Sequence, residues 1–142
     1  MIFGGILAGG TGTRMNMADM PKQFLELGSK PMVIHTLEKF LLCPRMDQVY
    51  IGVHPNWVLH MEDLVEKYIG IRKENVHIVE GGHDRNETIM NIVAAIEKDY
   101  GESEEHYIIT HDSVRPFVTS RILEDNIEAV QKFQVCDTVI PA

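Results

Sequence analysis

Three glycines in four positions, Gly9-Gly10-Thr11-Gly12, followed by Arg14 and then Lys22, make a set that can hold a phosphate chain. Glycine has no Cβ, so the backbone can come close to a bulky anion. A guanidinium grips phosphate oxygens in pairs, and an ammonium adds a point charge to the same group. The set follows an apolar opening that ends in Leu7 and Ala8. It therefore reads as a turn after a first strand, where backbone N–H groups can meet a nucleoside triphosphate. It is not a P-loop, because Gly-Lys-Ser/Thr is missing, and a dinucleotide fingerprint would need glycine where Met15 stands. A tight strand-to-helix turn without a ligand is the plain alternative, and a surface lysine is the plain reading of Lys22.

Two later groups have related chemistry. In Gly81-Gly82-His83-Asp84-Arg85-Asn86-Glu87-Thr88, paired glycines precede a helix start, with a hydroxyl one turn in. Backbone N–H groups at such a start are expected to stay free for an anion or a base edge. An ordinary loop capped by Asp84 or Asn86 is the alternative. His111-Asp112-Ser113-Val114-Arg115-Pro116 follows a β-rich run. A carboxylate there, Asp112, suits magnesium, with water and phosphate oxygens completing its shell. A cap or an ion pair to Arg115 would explain Asp112 equally simply. His111 reads as a core histidine, because magnesium prefers oxygen.

The elements that must position these groups alternate between strand and helix. Strands are expected at 2–7, 48–53, 76–79, 106–110 and 135–140. Helices are expected at 32–42, opened by Pro31 in its first turn and stopped by Pro44, at 56–68 capped by Asn56, at 86–98, and at 120–133. Val33, Leu37 and Phe40 share one helical face, as do Ile89, Ile92, Val93 and Ile96. The acidic stretch at 102–105 reads as a solvated turn. Such alternation predicts a parallel sheet covered on both faces. Ligands of such sheets sit beyond the carboxyl ends of the strands. All three motifs fall there independently.

The chain has 142 residues, enough for one domain with a core. Its net charge of -8 argues against a nucleic-acid partner, although a locally cationic site remains open to a polyanion. Cys43 and Cys136 are the only cysteines, form no metal-ligand pattern and read as reduced buried thiols. His35, His54, His60 and His77 share no ligand spacing and read as structural or surface residues. Met15, Met17 and Met20 enrich a loop that could pack over a ligand or simply fill gaps. With no signal peptide and no apolar run long enough for a bilayer, the expectation is a cytoplasmic protein without a membrane partner. The last residues, Val139-Ile140-Pro141-Ala142, fall where a strand ends, which suggests the front part of a longer protein.

Taken in order, these motifs resemble the cytidylyltransferase family that acts on polyol phosphates. The resemblance is carried by residues 6–15, Pro21-Lys22-Gln23-Phe24-Leu25, Lys30-Pro31, Gly81-Gly82-x-x-Arg85 and 111–116, and spans nearly the whole chain. It implies an α/β, three-layer Rossmann-like nucleotidyltransferase fold with a mainly parallel sheet, using CTP and Mg2+. It further implies that Arg14 and Lys22 are catalytic and that Asp112 holds metal. Nucleotide contacts would come from Leu7, Ala8, Gly9, Gly10, Thr11, Gly12, Gly81, Gly82, His83, Asp84, Arg85, Asn86, Glu87, Thr88 and Ser113. Ala8-Gly9-Gly10, Asp112-Ser113-Val114 and Thr88 favour a branch acting on D-ribitol 5-phosphate for teichoic acids over one acting on 2-C-methyl-D-erythritol 4-phosphate. The family's second acidic metal ligand and dimerisation arm lie beyond residue 142, so the chain alone is expected to bind CTP poorly, and a homodimer is expected only at full length. A sugar-1-phosphate nucleotidyltransferase has a similar opening, but only seven residues lie between Arg14 and Lys22 here. A nucleotide-binding module without activity is the non-enzymatic alternative.

Overall fold

The computed structural model describes residues 1–9, 21–113 and 119–133. Its centre is β1 (Ile2–Ala8), with all seven residues buried. β1 is flanked on one side by β4 (Gln48–Val53) and on the other by β6 (Tyr107–Asp112), with β5 (Val76–Glu80) outside β4. All three pairings are parallel. A strand with neighbours on both sides and helices on both faces must be apolar throughout, which is why its sequence is a run rather than an alternation.

The chain moves from β1 to β4 to β5 in one direction, then reverses across β1 to reach β6. Right-handed crossovers put helices on one face for the outward moves and on the other for the return. Accordingly α1 (Met32–Leu41) and α2 (Val58–Tyr68) pack on one face and α3 (Arg85–Tyr100) on the other. α4 (Ser120–Phe133) joins the first face through Leu123, Ile127 and Val130. The predicted faces are largely met: Val33, Leu37 and Phe40 are fully buried, Ile92 and Ile96 are buried, and Ile89 and Val93 half-buried. Each fully buried large apolar side chain contributes about 1.5–3 kcal/mol relative to exposure.

Several boundaries differ from expectation for local reasons. A two-residue hairpin, β2 (Glu26–Leu27) with β3 (Lys30–Pro31), precedes α1 and turns at Gly28, whose φ is +71°. It places the Leu25 carbonyl 2.9 Å from the Met32 N–H, so a neighbouring strand end satisfies a helix-start donor. Pro31 therefore sits just before the helix, not inside it. The second helix starts at Val58 after a 3-10 turn over Pro55–Trp57. That turn is capped by His54 Nδ1, which accepts from the Asn56 N–H, so Asn56 is not the cap. Glu102 to Glu105 are exposed, as a solvated turn requires. The expected strand at 135–140, with Cys136, lies outside the described residues. Cys43 is buried, and burial followed by the Glu124 carboxylate that accepts its hydrogen pushes the thiol above its ordinary range. No described helix is long and apolar enough to cross a membrane.

Candidate nucleotide-binding site

The strand order reverses at β1, since the chain runs outward to β4 and β5 and returns past β1 to β6. Open parallel sheets bind ligands beyond the carboxyl ends of the strands at such a reversal. Register sets the floor there: Ala8 lies opposite Val53, and Leu7 opposite Asp112. Val53 in turn lies opposite Glu80, so the four strands end level, and the loops that follow β1, β5 and β6 meet.

Gly9 and Gly81 approach each other backbone to backbone. A Cβ on Gly81 would stand 3.3 Å from Gly9 Cα, and one on Gly9 3.0 Å from Thr88 Oγ1. Two side chains would push these loops apart. Thr88, only 2% exposed, is the post on which they rest. Its hydroxyl accepts from the Gly82 N–H and donates to the Asp84 carbonyl, each at 3.0 Å. Its methyl fills a notch left by Gly52 in β4, where a Cβ would lie 2.4 Å from Thr88 Cγ2.

Several amides of this loop are engaged, which narrows the expectation of free donors to the first positions of the helix. Gly81 N–H donates to Val53 O, Gly82 N–H to Thr88, and His83 N–H to Glu87 Oε2. Glu87 N–H donates to Asp84 Oδ1. The carboxylates of Asp84 at the cap and of Glu87 three positions on thus each hold one backbone donor of the turn. His83, Asp84, Arg85, Asn86 and Glu87 remain exposed at the rim.

The third and fourth loops are tied by an ion pair from Arg85 Nη1 to Asp112 Oδ1. Arg115, the partner considered from sequence, lies outside the described residues, as do Gly10, Thr11, Gly12, Arg14, Met15, Met17 and Met20. Ser113 is buried; its N–H donates to Leu7 O, and its carbonyl accepts from Thr36 Oγ1 at 3.2 Å. His111 packs against Phe40 with ring centroids 6.0 Å apart, in keeping with a core histidine.

Lys22 is exposed on a single 3-10 turn, Lys22–Phe24. The next residue holds that turn to the site: buried Gln23 donates from Nε2 to the Ala8 carbonyl at 2.9 Å. Gln23 and Thr36 are the positioning residues that sequence reasoning missed. A polar side chain between Lys22 and apolar Phe24-Leu25 was the available signal for Gln23; Thr36 gave none. The scattered histidines serve local contacts, such as His35 Nε2 with the Leu27 carbonyl and His77 with Gln48.

Among the described residues no three His, Cys, Asp or Glu side chains cluster as a complete cation site. Asp112 nevertheless fits magnesium: a partly exposed carboxylate at a strand end, opposite Leu7, supplies one hard donor, and Mg2+ commonly takes only one or two from protein.

Comparison with known proteins gives a consistent result. The sequence profile of the 2-C-methyl-D-erythritol 4-phosphate cytidylyltransferase family matches residues 3–142. The chain is 52% identical over 142 residues to a ribitol-5-phosphate cytidylyltransferase of Streptococcus pneumoniae serotype 2 (strain D39), covering all of this chain and 60% of that protein. It is 51% identical, with the same coverage, to the enzyme of that name from S. pneumoniae strain ATCC 700669. The chain thus spans 60% of the length of these relatives. Among solved structures, 4-diphosphocytidyl-2C-methyl-D-erythritol synthase from Anaerococcus prevotii DSM 20548 superimposes with a TM-score of 0.71 at 22% identity, covering 93% of this chain and 52% of that one. A second structure of a synthase so named gives 0.69 at 26% identity, covering 99% and 63%. The Rossmann-like nucleotidyltransferase fold expected from sequence is thereby met.

Proposed function

This chain belongs to the 2-C-methyl-D-erythritol 4-phosphate cytidylyltransferase family, and from that membership we propose that the protein carrying it moves CMP from CTP to D-ribitol 5-phosphate, giving CDP-ribitol and pyrophosphate. The observation that carries the reading is the meeting of three loops at one end of the sheet: Gly9 against Gly81 and Thr88, and Arg85 on Asp112. The choice of ribitol rests on 52% identity to the pneumococcal enzymes, against 22% and 26% to the solved erythritol synthases. CDP-ribitol made in the cytoplasm would supply teichoic-acid polymers, and the full-length protein would act as a homodimer.

A phosphate oxygen of the polyol phosphate attacks the α-phosphorus of CTP in line, and pyrophosphate departs. The substrate brings its own nucleophile, so the protein's task is positioning and charge neutralisation. Lys22 and Arg14 offset the charge growing on the α-phosphate and the leaving group. Gln23 keeps the Lys22 turn against the end of β1. The glycine loop from Leu7 and Ala8 through Gly12 wraps the triphosphate. Gly81 and Gly82, with the rim from His83 to Glu87, receive the cytosine, and Thr88 holds that loop in shape. Ser113 lies beside the nucleotide. Asp112 would hold Mg2+, whose chemistry there is to neutralise and orient phosphate oxygens.

The experiment is pyrophosphate release by the full-length protein from CTP with ribitol 5-phosphate, compared with 2-C-methyl-D-erythritol 4-phosphate. Faster turnover with ribitol 5-phosphate is expected. A preference for the erythritol substrate, or for UTP or GTP over CTP, overturns the reading.

A further inference from the structure

Arg85 stands where its charge is disfavoured. It is the first residue of α3, the end at which a helix presents partial positive charge and favours anions. Its guanidinium reaches away from that end, across to β6, and meets Asp112. The two side chains remain 53% and 33% exposed, so the contact is within reach of solutes. Asp112 is also the carboxylate that fits a divalent cation. A guanidinium and Mg2+ repel each other and cannot both hold the same carboxylate oxygen at full strength.

Building on the proposed CTP site, we infer that Arg85 is an internal counter-cation that occupies Asp112 in the free protein and gives it up when a nucleotide arrives with its divalent cation. Without nucleotide, an incoming cation must displace the guanidinium and finds a neutralised carboxylate. With CTP present, the guanidinium released from Asp112 gains phosphate oxygens as new acceptors. Cation binding and nucleotide binding then reinforce each other, and by linkage the enhancement is equal in both directions. Arg85 is in this sense a positioning residue that sets the order of loading. It also keeps Asp112 from holding a cation in an empty site.

The test is Mn2+ binding to the full-length protein, read by loss of the free Mn2+ electron paramagnetic resonance signal, first without nucleotide and then with CTP. Arg85→Gln should bind Mn2+ about two- to fivefold more tightly without CTP, the range expected for release of a solvent-exposed ion pair. Arg85→Lys, which keeps the charge, should stay close to the parent. Adding Asp112→Asn to Arg85→Gln should abolish the gain, and CTP should enhance Mn2+ binding less in Arg85→Gln than in the parent. Unchanged or weaker Mn2+ binding in Arg85→Gln overturns the proposal, as does a gain that survives Asp112→Asn. Pyrophosphate release by the parent protein is measured on the same preparation. Its absence defeats the functional reading, whereas release with an unmoved Mn2+ affinity defeats only the role given to Arg85.

Discussion

At the amino end of the sheet, Phe3 sits among Tyr50, Tyr100 and His106, with ring centroids 5.3 to 6.1 Å apart. At the carboxyl end lie the buried polar residues Gln23, Thr36, Thr88 and Ser113, and each makes a hydrogen bond with loop or strand-end backbone. One end is held mainly by ring contact and apolar area, beside single hydrogen bonds such as Tyr50 to Asp99, and apolar contact is non-directional and tolerant of small displacements. The other is held by hydrogen bonds, which weaken steeply with angle and so fix where a loop stands. The contrast separates a region that supplies stability from one that supplies geometry.

The largest expected effect is at the amino end. Phe3→Ala should cost about 3–5 kcal/mol of stability in urea unfolding, while the folded fraction keeps its CTP affinity. A loss of CTP affinity in the folded fraction would break the separation. Next comes Lys22→Ala in the full-length protein. A drop in kcat of ~10²–10³ is expected, with less change in KM and an unmoved unfolding midpoint. Near-normal turnover with a raised KM would instead make Lys22 a binding residue.

Thr88→Val keeps the methyl in the notch at Gly52 but leaves the Gly82 N–H without its acceptor. It should cost about 1–3 kcal/mol, and KM for CTP should rise because the loop loses its post. Stability loss with KM unchanged would place Thr88 with the amino-end residues in kind.

The smallest effect is Tyr50→Phe, which removes a hydroxyl donating to Asp99 Oδ2 at 2.7 Å, for about 0.5–1.5 kcal/mol. Burial first, and then the Asp99 carboxylate, hold the Tyr50 phenol well above its ordinary range. A group raised on folding contributes stability that is complete below its unfolded value, near pH ~10, and fades as pH climbs from there toward the folded value. Urea unfolding from pH 8 to 11 should therefore show the difference between parent and Tyr50→Phe shrinking above pH ~10. A difference that grows there would contradict the assigned cause.

How much was legible follows from how local each feature is. The strand at 48–53 and the helix at 120–133 matched their expected bounds, because each is a long patterned segment whose own residues decide it. The hairpin around Gly28 was missed, because two-residue strands carry too little pattern to rise above a loop. The start of α2 shifted because His54, outside the periodic segment, supplies the cap. At the site, the glycine pairs were visible as places where backbone must come close. That Gly9 meets Gly81, and that Gly52 makes room for Thr88, could not be read from one dimension.

Sequence alone determined the alternation of elements, the apolar faces and the three glycine- and acid-bearing turns, since periodicity and residue chemistry act within a few positions along the chain. Only the tertiary structure decided that the order β5-β4-β1-β6 brings those turns together, that Arg85 reaches Asp112 from a distant part of the chain, and that the Gly81, Gly82, His83 and Glu87 amides are engaged. The reason is physical. Register and right-handed crossovers join residues far apart in the chain, and a hydrogen bond depends on where its partner stands, which no local pattern encodes.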